Sequence, residues 1–239
     1  SIATTEPAGP VYLCYDADLQ ERSITEEISL PDLRRYPSPL ALQAPEEGFD
    51  KTVRWLLEAR WPVIVADWAG RTEEGFRALI ELAELLVIPV LDRGGRLNFP
   101  SLHPLNLTGM ERAVLSQADL VLGLDVADLF GAISERQGEG ANRISASILP
   151  SGARIIHVEV RDILSRSWVQ DYGKLPELDL SIRAETRVFL PELVRRLKDE
   201  KKTLDELKQE MERRREKLQR LRLELEGSLK DEVQKKWDE

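Results

Sequence analysis

Short apolar runs separated by amphipathic stretches fill the chain as far as residue 197. Runs of four or five residues bounded by turn formers predict strands at Val11–Tyr15, Pro62–Ala66, Ile88–Leu91, Leu120–Leu124 and Arg154–Val158. Between them, Val53, Leu56 and Leu57 predict a helix over Phe49–Arg60, and Phe76, Leu79, Ile80, Ala83 and Leu86 predict another over Glu73–Leu86. Met110–Gln117 reads as a short third helix, and Val188–Leu197 as a last one that continues toward the tail. The repeated order of strand, crossover helix and strand is the signature of a parallel sheet covered on both faces. Asp16–Pro45 has no periodicity and carries four prolines from Pro31 onward, which predicts a long connection.

From Lys198 the pattern changes: 26 of the last 42 residues are charged, none is proline and one is glycine, Gly227. This composition predicts a single long helix. Leu204, Met211, Leu218 and Leu225 recur every seven residues, with Leu207 and Leu221 between them, while Arg214 and Ser228 interrupt the stripe. Such a stripe fits either a short coiled coil with a partner or a helix laid on its own domain, and its imperfect heptads favour the second. Leu229, Val233 and Trp237, four apart, extend the apolar face and predict a docking end. Three regions follow: an initial strand and connector over 1–45, an α/β domain over 46–197, and a helical tail over 198–239.

Composition narrows the function classes. A net charge of −9 and a pI near 5.0 argue against a nucleic-acid binder. No apolar run approaches the roughly 18 residues that a membrane helix needs. The single cysteine, Cys14, lies in the run VYLCY, reads as a strand residue and excludes an internal disulfide framework, as expected in the cytoplasm. The chain starts at Ser1 with no signal-peptide pattern, which predicts a trimmed or partial product. His103, His157 and Cys14 are too few and too far apart for a zinc site or a Cys-His nucleophile, so neither a metal site nor a catalytic residue is expected. His103, before Pro104, reads as a turn residue, and His157 as a packed strand residue.

Ile88–Gly109 reads IPVLDRGGRLNFPSLHPLNLTG, and ADLVLGL follows at Ala118–Leu124. This order resembles the central domain of thiamine-diphosphate-dependent enzymes of the acetolactate synthase and 2-keto acid decarboxylase type, where IPV, then NFP…HPL…G, then ADLVL recur. TTEPAGPVYLCYDADL, Thr4–Leu19, is similar to that family's approach to its central domain. The resemblance covers about residues 1–190 and implies a Rossmann-like, doubly wound parallel sheet of the DHS-like NAD/FAD-binding type, with the charged helical extension as a connector. In the family, one flanking domain supplies a glutamate for the cofactor's pyrimidine ring, and another a GDG…N motif for magnesium and diphosphate. This sequence has no GDG and no Asn-Asn pair. The resemblance therefore implies thiamine diphosphate and magnesium in a parent enzyme, flanking or separate pyrimidine- and diphosphate-binding domains as partners, a homo-oligomer, and no complete active site in this chain.

The resemblance also points to residues. A nucleotide, FAD or ADP, would meet the loop Ala66–Arg71, where relatives carry a glycine-rich turn, and here Gly70 and Arg71 keep some capacity for an anion. Asp67 and Trp68 depart from that turn. Gly123 opens the second loop, where Asp125 stands in place of the relatives' arginine. Glu159 matches an acid that takes ribose hydroxyls, although an acid at a strand end also caps a helix or faces water. Two acidic departures disfavour the nucleotide. Arg93, Arg96, Asn98 and Phe99 are expected to face substrate in an intact enzyme, while Trp55, Trp61 and Trp68 are expected to pack the domain. The expected function is the central structural domain of a carbon–carbon lyase or carboligase, and the alternatives are a free-standing FAD/ADP-binding module or an interaction protein acting through its tail.

Overall fold

A computed structural model of the chain describes residues 3–6, 8–25, 27–137, 144–160 and 174–238. It falls into two units, Ser1–Ala41 and Leu42–Glu239. The strands in chain order are β1 (Pro62–Ala66), β2 (Val90–Asp92), β3 (Leu120–Leu124), β4 (Ser134–Gln137), β5 (Ile144–Ser147), β6 (Arg154–Glu159) and β7 (Leu180–Arg183). The helices are α1 (Ala17–Glu21), α2 (Glu46–Glu58), α3 (Glu73–Leu86), α4 (Glu111–Leu115), α5 (Leu129–Ala132), α6 (Thr186–Asp199) and α7 (Lys201–Asp238).

Five strands form one parallel sheet in the order β2-β1-β3-β6-β7. β1 and β3 are buried at every position, which is why their sequences, PVIVA and LVLGL, contain no polar residue. At the outer edge Val90 N donates to Leu105 O at 2.8 Å, and Leu107 N donates to Val90 O at 3.0 Å. Asn106 thus bridges to Val90 in parallel and adds a sixth rung beyond β2. The chain winds outward from β1 in one direction and resumes at β3 in the other, the doubly wound arrangement. β4 and β5 pair antiparallel, apart from this sheet.

Four helices carry most of the covering surface. Phe49 of α2 stacks on Phe189 of α6 at 5.0 Å, and α6 packs along α3. Thr72 caps α3 by accepting from Gly75 N. The stripe of α7 faces its own domain: Leu218 and Leu225 are buried, and Leu204, Met211 and Leu221 pack against the core. Arg214, which interrupts the stripe in sequence, is its anchor. Its guanidinium donates to Leu86 O at 2.7 Å, to Arg60 O at 3.0 Å and to Ala59 O at 3.1 Å. Those carbonyls belong to the chain leaving α2 and α3, where helices have acceptors without intrahelical donors and favour positive charge.

Several sequence expectations are corrected. Val11–Tyr15 is not a strand: no described strand pairs with it, Tyr12 is 89% exposed, and Cys14 is exposed as well. An apolar run has strand character, but a strand exists only where a second edge accepts its hydrogen bonds. The fifth strand of the sheet is instead β7, paired with β6. β7 and the β4–β5 pair were not expected, because LSIR, SERQ and ISAS are short and carry polar or charged residues. The helix expected at Phe49–Arg60 starts three residues earlier, and Met110–Gln117 contracts to one turn and a half. No described helix is long and apolar enough to cross a membrane.

Replacing Arg214 by alanine strands three backbone carbonyls under α7, so urea unfolding should show a loss of roughly 3 kcal/mol. Arg215→Ala, at a neighbouring position half exposed, should stay within about 0.5 kcal/mol of the parent. Equal effects of the two would show that the carbonyl contacts do not hold the helix.

Candidate functional site

The reversal of winding between β1 and β3 places two loops together beyond the carboxyl ends of the strands, where parallel sheets bind ligands. Asp67–Arg71 follows β1 and Asp125–Asp128 follows β3, and Asp67 N donates to Leu124 O across them at 3.2 Å. A third loop, Arg93–Phe99 after β2, lies against the first. Arg93 N donates to Ala66 O at 2.8 Å and Arg96 N to Asp67 O at 3.1 Å.

Carboxylates fill this crevice. Asp67 accepts from Gly95 N at 3.0 Å through Oδ1 and from Ala127 N at 3.4 Å through Oδ2, joining the loops after β2 and β3. Loop amides of this kind are what the phosphate of a nucleotide requires. Arg71 Nη1 donates to Asp125 Oδ2 at 2.9 Å, and the Asp125 side chain is only 2% exposed. Thr186, the first residue of α6, donates its hydroxyl to the same oxygen. Asp125 holds φ at 51°, a left-handed conformation that costs a non-glycine residue roughly 1–2 kcal/mol. Its carboxylate pairs with the Arg71 guanidinium and accepts the Thr186 hydroxyl, and its own amide donates to Val158 O at 2.9 Å.

The glycines serve packing between loops. A Cβ on Gly70 would lie 2.2 Å from Leu97 O and 2.6 Å from Asn98 Cα, so its small size admits the neighbouring loop. Gly123 sits inside β3, where a Cβ would come within 3.1 Å of His157 Cδ2 and Leu129 Cδ1. Neither glycine opens a path for a pyrophosphate. Of the residues expected to face substrate, Asn98 and Phe99 are fully buried. Asn98 Oδ1 accepts from Gly70 N at 2.9 Å, and its Nδ2 donates to Asp67 O at 2.7 Å and to Asp92 Oδ1 at 2.8 Å. Phe99 meets His103 edge to face at 4.7 Å. Arg93 and Arg96 are exposed, and the Arg96 guanidinium lies over the Trp68 ring at 5.9 Å. Two residues escaped the sequence reading. Asp92 accepts from Gly94 N, Asn98 N and Phe99 N, and an Asp ahead of Gly-Gly was a signal for this turn. Thr186 stands 61 residues from Asp125, and no spacing rule connects them.

Glu159 ends β6, largely buried, with Oε1 3.7 Å from His157 Nδ1. Burial lowers the His157 imidazole from 6.5 to about 4, and the backbone hydrogen bond with Val126 offsets this only in part. His157 Nε2 is buried without a hydrogen-bond partner. His157 is therefore a neutral core residue. His103 shapes its turn, its Nδ1 accepting from Leu105 N at 3.1 Å. Trp61 packs inside with its indole donating to Val114 O at 3.0 Å.

No family model matches the chain. It is 29% identical over 132 residues to 3D-(3,5/4)-trihydroxycyclohexane-1,2-dione hydrolase of Clostridium perfringens, a match covering 50% of this chain and 20% of that enzyme. The enzyme of a second strain of that species is 28% identical over the same length. Among solved structures, a Mycobacterium smegmatis protein assigned as a thiamin diphosphate-dependent enzyme superposes with a TM-score of 0.57 at 23% identity, covering 81% of this chain and 35% of that one. Benzoylformate decarboxylase from Polynucleobacter necessarius superposes with a TM-score of 0.56 at 16% identity, covering 81% and 34%. The chain thus spans about a third of the solved structures and has the fold of a domain found in thiamine-diphosphate-dependent enzymes.

Two variants check this geometry. Gly70→Ala pushes a methyl group into backbone, and should cost roughly 1–3 kcal/mol in chemical unfolding while displacing the Arg93–Phe99 loop. His157 binds its proton more weakly folded than unfolded, so stability present above pH 6.5 is lost as pH falls toward 4. The loss should total roughly 3 kcal/mol, and His157→Leu should flatten that limb of the profile. An unchanged slope between pH 6.5 and 4 would refute the buried neutral state.

Proposed function

We propose that this chain is the central, structural domain of a cytoplasmic thiamine-diphosphate-dependent carbon–carbon lyase or carboligase, with no complete active site and no nucleotide of its own. The observation that carries the second half is the Asp67 carboxylate, which takes the two loop amides that a phosphate would need. Arg71, the cation best placed for an anion, is committed to Asp125. Against FAD and ADP, this reading sets the Gly95 and Ala127 amides bound to Asp67 and the backbone of Leu97 and Asn98 lying against Gly70. The free-standing nucleotide module is the weaker reading for that reason.

The larger reading is supported by length. A shared stretch equal to 35% of the Mycobacterium smegmatis chain leaves room for two further domains of similar size, consistent with pyrimidine- and diphosphate-binding partners. In this reading, magnesium and the cofactor's diphosphate are held by those partners. Thiamine diphosphate, when bound by such partners, supplies the carbanion chemistry on a 2-keto acid. The role of this chain is to hold those domains apart and present a rigid face between them.

Calorimetric titration tests the proposal. FAD, ADP and thiamine diphosphate with magnesium should each give no saturable heat and less than about 1 °C of thermal stabilisation at millimolar concentration, whereas a ligand at 100 times its Kd would add about 2.7 kcal/mol. Saturable binding of FAD or ADP would favour the nucleotide module. Turnover of benzoylformate or pyruvate by the chain alone, with cofactor and magnesium, would refute the structural role.

A further inference from the structure

The anchored part of α7 ends at one point. Arg222 donates to Asn106 O at 2.8 Å and to Ser101 O at 3.3 Å, and its Nε donates to Glu226 Oε1 at 2.9 Å. Leu225, the last buried side chain of the helix, lies over the turn at Gly109, where a Cβ would stand 3.3 Å from Leu225 Cδ1. From Ser228 to Trp237 every side chain described is exposed, Leu229, Val233 and Trp237 included. The docked length is therefore Lys201–Glu226, and Ser228–Asp238, about three turns, lies beyond it.

Gly227 and Ser228 fall at that boundary, and Gly227 is the one glycine of α7. In a helix interior, glycine favours the unwound chain about fivefold relative to alanine, because its backbone has more freedom to lose. Elsewhere in this domain glycine has a steric reason. A Cβ on Gly70 would strike Leu97 O, and one on Gly75 would crowd Ala69 O. At Gly227 nothing lies within 4 Å of a Cβ, and the backbone is not left-handed. This glycine meets no packing requirement, so what it changes is the stiffness of the helix where docking ends. Sharp bends in helices fall at Gly/Ser pairs, and three turns without packing are too short to hold themselves helical in water.

We propose that Gly227–Ser228 is a joint, beyond which the segment carrying Leu229, Val233 and Trp237 reorients independently of the domain on the picosecond to nanosecond timescale, while Lys201–Glu226 stays docked. The apolar stripe is thereby presented on a swinging arm whose direction the sheet does not fix. The joint is a property of this chain alone, and it holds whether or not the domain has the structural role proposed above.

Nitrogen-15 relaxation of the full chain tests this. Amide order parameters should stay near about 0.85 through Leu225 and fall below about 0.6 from Leu229 to Trp237. Gly227→Ala should shift the local equilibrium about fivefold toward a continuous helix, raising the order parameters of Leu229–Val233 and the helical circular dichroism together. Gly227 is exposed with open space beside it, so the variant folds as the parent does. Three results would each overturn the proposal: order parameters near 0.85 as far as Trp237, a fall that begins before Leu225, or a Gly227→Ala variant with the parent's profile. The last would mean that the segment frays as any free helix end does, with no part played by the glycine.

Discussion

Two strands without a polar face, Pro62–Ala66 and Leu120–Leu124, lie at the centre of the sheet, and their dryness governs the rest of the domain. Buried on both sides, they can present polar groups only at their ends. At the amino ends, Asp119 accepts from Arg60 N and Trp61 N at 2.7 and 2.9 Å, and Asp179 accepts from Ile155 N at 2.8 Å. At the carboxyl ends Asp67 and Asp92 do the same for the loops that leave the sheet, while Asp125 accepts from the Arg71 guanidinium and the Thr186 hydroxyl. These aspartates are thus structural, since a carboxylate is the acceptor that best satisfies converging backbone amides.

The same constraint closes the crevice. In a ligand-binding sheet of this topology, the switch-point loops leave their amides for the ligand. Here an aspartate on each of two adjacent loops supplies the negative charge internally, and a third loop lies over them through Asn98. Ligand and side chain compete for one set of donors, and the side chain is always at hand. This gives the pair of acidic departures in the sequence one physical meaning.

The tail obeys a parallel rule. Helix ends leave acceptors without donors, and Arg214 meets three such carbonyls while Arg222 donates to Asn106 O and Ser101 O. Arginine is suited to this because its planar fork donates in several directions at once. Lys217 adds its ammonium over the Trp61 ring at 4.5 Å. The charged helix therefore binds its domain by polar contacts as much as by its narrow leucine stripe. That explains how a heptad pattern too weak for a coiled coil still fixes a helix, and why its apolar end, past the last of these contacts, stands bare.

The sequence by itself determined the sheet's central strands, helices α2, α3 and α6, and the long tail, because apolar periodicity is a local property and these segments are buried along their length. It also carried a resemblance to thiamine-diphosphate-dependent enzymes, whose fold the chain shares with the solved structures. It misjudged Val11–Tyr15 and passed over β7, because pairing depends on which edge is free, and an edge belongs to the sheet. It identified Asp67 and Asp125 as departures but not their work, since the partners Gly95, Ala127, Arg71 and Thr186 are 28 to 61 residues away. It read Arg214 as a defect for the same reason. Which polar groups meet was decided only by the tertiary structure, because a buried hydrogen bond depends on ångström distances between segments that the chain order leaves unrelated.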